Sequence, residues 1–246
     1  MNLNRFLKTK VFYITALITV ICFFVLSAVD RDLTGSFDQI YADFGGGGYL
    51  LIMVGIFSIV YSEEERKSGF LKNLLTTRSG KKNIFLAKIP VVFLYTVIMF
   101  LASMLAIKLG LLTKGLGYFR LRSAATLIIF TAFEILLHTI YGIAMMALYE
   151  ISRNTIVPTV ICIFTAGNFH GMILNALEET TIKKFPFLAR FQDTYALSRN
   201  LIVTLTETIQ ELQKAFPLAN VLIVSALGLV FYTVLGMLVF TKRDTI

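Results

Sequence analysis

Apolar residues run along this chain in six long stretches, separated by short polar and charged segments. The stretches are Val11 to Val29, Gly45 to Tyr61, Ile84 to Ile107, Ser123 to Tyr149, Ile156 to Leu177 and Ala219 to Thr241. A helix crosses the hydrocarbon of a bilayer in about 20 residues. Lipid offers no partner to a backbone amide or carbonyl, so each stretch is predicted to be a helix, not an open strand. The pattern predicts an all-α membrane protein, a six-transmembrane-helix bundle forming one domain over residues 1–246, with no linker, low-complexity tract or repeat dividing it.

Two further segments carry apolar residues at helical spacing but are too polar to span. Between the second and third stretches lies SEEERKSGFLKNLLTTRSGKK, starting at Ser62. Ser62 and Glu65 have capping-box spacing, in which the Glu65 amide donates to the Ser62 hydroxyl and the carboxylate reaches back. Acidic residues suit the first turn of a helix. Phe70, Leu71, Leu74 and Leu75 then share a face, and Ser79-Gly80 supplies a stop. This predicts a short amphipathic helix whose apolar face needs cover, either from lipid or from a groove on a partner. Between the fifth and sixth stretches, Leu201, Leu205, Ile209, Leu212 and Phe216 recur at helical spacing up to Pro217. They predict an outer amphipathic helix over 198–216.

Composition sharpens this picture. Of 246 residues, 57% are hydrophobic and 15% charged, against about 25% charged in a soluble domain. The net charge of +8 is read as basic loops facing anionic lipid, and no nucleic-acid partner is expected. With both termini inside, the internal segments hold thirteen Lys/Arg and five acids, and the longer external segments ten Lys/Arg and nine acids. The positive-inside rule therefore places both termini in the cytoplasm. Arg5, Lys8 and Lys10 before the first stretch resemble the start of a signal peptide, but Leu26-Ser27-Ala28 is a poor cleavage site, and an uncleaved first helix is expected. Cys22 and Cys162 lie within apolar stretches and read as small hydrophobes. No metal, cofactor or catalytic residue is predicted.

Ionisable residues within spans are costly and so informative. Glu134 and His138 stand four apart on one helix face, where they can pair. They read as a polar site on a transport path or subunit seam, or as a structural hydrogen bond. Asn168 and His170 form a second polar spot. Ala102, Ala106 and Gly110 allow close helix approach, and ordinary packing within the bundle is the favoured reading. Gly45 to Gly48 reads as a permissive entry turn. The chain has no G-x-x-x-x-G-K-[ST], so it is not expected to bind nucleotide phosphates itself. Intramembrane protease motifs fail: Glu63-Glu64 and Glu64-Glu65 lack the Arg four residues on, and His138 and His170 lack the Asn. A transporter driven by an ion gradient through Glu134 and His138 remains the alternative.

Glu63, Glu64 and Glu65, then Gly69, Leu74-Leu75, Arg78 and Lys88 before a new span, resemble the first cytoplasmic loop of type-2 ABC exporter permeases. The six stretches, the basic start, the helical outer segment and the Lys242-Arg243-Asp244 ending fit the same family; the Pro often found before the Arg is replaced by Thr77. The resemblance implies that Glu63, Glu64, Glu65, Gly69, Phe70, Leu71, Leu74, Leu75 and Arg78 form a coupling helix docking on a cytosolic ABC ATPase subunit. It also implies a second permease subunit, identical or a paralogue. The small six-span form resembles the bacteriocin and lantibiotic immunity subgroup of Gram-positive bacteria, which implies export of amphipathic peptides from the cell membrane.

Overall fold

The computed structural model describes residues 6–29, 40–41, 48–67, 80–114, 124–167, 169–188 and 218–243. Among them there are seven α-helices, one 3₁₀ turn at Pro186–Leu188 and no strand. The helices are α1 (Lys10–Val29), α2 (Gly48–Lys67), α3 (Gly80–Thr113), α4 (Ala124–Ser152), α5 (Ile156–Ala166), α6 (Phe169–Lys184) and α7 (Leu218–Arg243). Four of them, α1, α3, α4 and α7, are long and apolar enough to cross a membrane. Glu-rich residues close α2, and α5 has 11 residues, which leaves both outside that set.

The helices alternate in direction. Gly110 near the end of α3 meets Ser27 and Phe24 near the end of α1, so these two run parallel. Phe23 of α1 meets Tyr49 at the start of α2, and Gly142 of α4 meets Val92 of α3, which makes α2 and α4 antiparallel to them. Phe85 of α3 packs on Gly236 near the end of α7. The start of α1, the tail of α2, the head of α3 and the ends of α4 and α7 therefore gather at one end, here the charged end.

α3 and α4 are half-buried and hold the centre, with α1 packed on α3, α2 on α4 and α7 across both. Tyr95 of α3 stacks on Phe57 of α2 at 3.7 Å between ring centroids and donates to Thr15 of α1 at 2.8 Å. One side chain thus ties three helices. Core hydroxyls such as Thr19, Ser58, Thr96 and Thr139 return their hydrogen bonds to the carbonyl four residues back, which removes the penalty of a polar atom in an apolar bundle. Outside, Tyr13, Ile14, Leu17 and Ile21 of α1 and Leu222, Leu227, Val230 and Phe231 of α7 are exposed. An apolar surface of this continuity belongs in hydrocarbon, not water.

Two expectations change, and the packing of Gly110 does not. The stretch 156–177 is not one unbroken helix: α5 stops at Gly167, whose amide bonds to the Ile163 carbonyl at 3.0 Å, and α6 begins at Phe169. Ser62 and Glu65 form no capping box, because α2 runs unbroken through both to Lys67 and Ser62 lies inside it. An N-cap hydroxyl needs free amides, and mid-helix amides are already taken. Gly110 packs within the bundle against α1, as the ordinary reading of the Ala102, Ala106, Gly110 row expects.

Candidate functional site

The apolar face of α2 carries Leu51, Val54, Ser58, Tyr61 and Ser62 into the core, and Glu63 continues it beyond the apolar stretch. That face meets α4. Glu63, 11% exposed at its side chain, accepts a hydrogen bond from the hydroxyl of Tyr149 and pairs with Arg66 and Lys67 of its own helix, each at 3.0 Å. The Arg66 guanidinium also lies over the Tyr149 ring, 5.8 Å from its centroid. Burial pushes the Glu63 carboxyl up, but the Tyr149 hydrogen bond and the Lys67 and Arg66 charges outweigh it, so its pKa falls below the usual 4.5.

Lys88 lies alongside. On α3 it stands three or four residues from Ile84, Phe85, Val91 and Val92, all core residues, so helix geometry buries it too; its side chain is 1% exposed. The ammonium lies 3.3 Å from Glu65 of α2 and 3.2 Å from Glu150 of α4, and 5.5 Å from the centroid of Phe240 of α7. Three carboxylates (Glu63, Glu65, Glu150) thus meet three cations (Arg66, Lys67, Lys88). Burying an isolated ion costs several kcal/mol, and pairing offsets it; for the buried Lys88–Glu150 pair, removing one partner costs about 3–5 kcal/mol.

Glu64 is half-buried on the same tail. Gly69, Phe70, Leu71, Leu74, Leu75 and Arg78 lie outside the described residues, as do the outer helix 198–216, Gly45 to Gly47 and Asn168. His170 is in α6. Tyr149 and Glu150 escaped the sequence reading. A signal for Glu150 was present: a cation on the apolar face of α3 needs a counter-charge, and Glu150 ends the next span on the same side.

The second polar point is deep in the bundle. Glu134 and His138 are both fully buried on α4, with His138 Nδ1 2.8 Å from the Glu134 carbonyl and 3.2 Å from its carboxylate. Phe100 of α3 meets the imidazole edge-on at 4.9 Å. The expected pair therefore forms, one helical turn apart. Among the described residues no three His, Cys, Asp or Glu side chains converge as a metal site.

Exposed apolar helices around a half-buried pair, with a paired ionic cluster at one end, define an α-helical membrane protein. A family model described as ABC-2 family transporter protein matches residues 5–167, about two thirds of the chain. The chain belongs to that family, whose members are membrane transport subunits that work with an ABC ATPase subunit. A search of curated proteins finds no match.

Proposed function

We propose that this chain is the permease subunit of an ABC exporter, with six membrane passes, both termini cytoplasmic and a second permease copy or paralogue completing the path. The family match over 5–167 carries the reading, because it takes in α1 to α5 and the whole link between α2 and α3. In this reading the charged end faces the cytoplasm. Segment 62–78, with Glu63, Glu64, Glu65, Phe70, Leu71, Leu74, Leu75 and Arg78, is the coupling element beneath it. α2 and α5 complete the six passes within the assembled bundle. Closure of the ATPase dimer on ATP is transmitted there and shifts the equilibrium between inward- and outward-open permease states. Glu134 and His138 are a polar point on the path or the subunit seam.

The substrate class is amphipathic peptides or similar amphiphiles. A chain with 22 Phe and 10 Tyr and a continuous apolar outer face suits lateral entry of such molecules from lipid.

Co-purification tests the reading. The tagged chain, expressed with its neighbouring genes, is expected to bring a soluble ATPase in stoichiometric amount. Phe70→Asp or Leu74→Asp is expected to reduce that recovery at least about tenfold, since a buried charge costs more than 1.4 kcal/mol, while membrane insertion is unchanged. Equal recovery from both variants would remove the coupling assignment.

A further inference from the structure

Resting on the permease reading, we propose that Lys88 is the positioning residue that carries movement of the α2 tail into the rest of the bundle. At Lys88 four helices meet: Glu65 of α2, Glu150 of α4 and the Phe240 ring of α7 all approach the ammonium on α3. The geometry is unlike that of a simple packing contact. A buried Lys between the buried Glu150 and the half-buried Glu65 resists separation from either, because each parting takes a charge from its counter-ion in a medium where it is poorly solvated. A displacement of Glu65 along the bundle must therefore move Lys88, and Lys88 must in turn carry Glu150.

Pro90 stands two residues further along, inside α3. Proline has no amide hydrogen, so the Leu86 carbonyl loses its partner four residues on, and the helix bends most easily at this turn. The head of α3 before Pro90 thus forms a short lever, and the ammonium that grips α2 and α4 sits on it. The second half of the cluster reinforces the handle: Glu63, held by Tyr149, keeps the α2 tail against α4 while Glu65 reaches α3. The α2 tail leads directly into the segment that the permease reading places on the ATPase. Position and charge together make Lys88 the joint through which a push on that segment reaches α3, α4 and α7.

The test uses the full complex in lipid nanodiscs, with amide hydrogen exchange read with and without ATP and vanadate. Lys88→Met alone takes the cation from two carboxylates and is expected to fold poorly, so the working variant is Lys88→Met with Glu150→Gln. This pair keeps the local net charge of the Glu65, Lys88, Glu150 triad at −1. Wild type is expected to change exchange over 62–67, 83–89 and 236–243 on nucleotide trapping. In the double variant the ATPase still co-purifies and 62–67 still responds, but the response at 83–89 and 236–243 is lost. Lys88→Arg, which keeps a cation between Glu65 and Glu150, is expected to retain the response. A double variant that transmits to 83–89 as wild type does overturns the role of Lys88 and leaves the permease reading standing. A wild-type chain that recruits no ATPase overturns both.

Discussion

Glu63 shows how a residue at the edge of an apolar stretch acquires a place in the bundle. Helix spacing puts it on the inner face of α2, and the Tyr149 hydroxyl with Arg66 and Lys67 makes the ionised form the favoured one. Its folded-state pKa is depressed, so the unfolded chain binds more protons over the interval just below the usual 4.5. Stability from this carboxylate is then complete above that value and is lost as the pH falls through the folded pKa. Glu63→Gln is expected to lower the melting temperature in detergent at pH 7 and to show no deficit once the pH is below the folded-state pKa of Glu63. A deficit that persists undiminished in acid would mean that the side chain acts through shape and not charge.

Among the elements, α1 and α3 approach closely at Gly110. A Cβ on Gly110 would lie 2.7 Å from the Phe24 carbonyl and collide with Ser27. Gly110→Ala is expected to cost about 1–3 kcal/mol through overpacking, seen as an earlier loss of the monodisperse peak on heating. A melting profile identical to wild type would show that α1 slides freely on α3. α3 itself carries the opposite liability at Pro90, since an interior proline costs a helix about 3 kcal/mol. Pro90→Ala is expected to raise the melting temperature and slow transport, by restoring the amide that the Leu86 carbonyl lacks. A lower melting temperature would indicate that this carbonyl is satisfied by another group. The division of 156–177 into α5 and α6 was not legible from hydropathy, because Gly167 ends a helix through backbone geometry and the polar spot at Asn168 and His170 interrupts the apolar stretch only briefly. The capping box failed for the converse reason: Ser-x-x-Glu spacing describes a helix start only where no earlier turn has claimed the amides.

At the scale of the whole molecule, the start of α1 and the end of α7 gather with the α2 tail at the charged end. Reporter fusions after Ile246 and within 68–79 are expected to report the cytoplasmic side, and a fusion after Lys114 the opposite side. A cytoplasmic signal after Lys114 would break the alternation of helix directions. The sequence by itself determined the class of the protein: helices were dictated by the length of the apolar stretches and the absence of backbone partners in lipid. It determined the Glu134–His138 pair as well, since four residues on one helix fix neighbours without any fold. Only tertiary structure decided that Lys88, counted in the chain as one more loop cation, is enclosed by Glu65, Glu150 and Phe240. Those residues are drawn from four helices up to 175 positions apart, and no local spacing encodes such a meeting. Their enclosure follows from helix packing, which sets what each face touches, whereas sequence periodicity sets only which residues share a face.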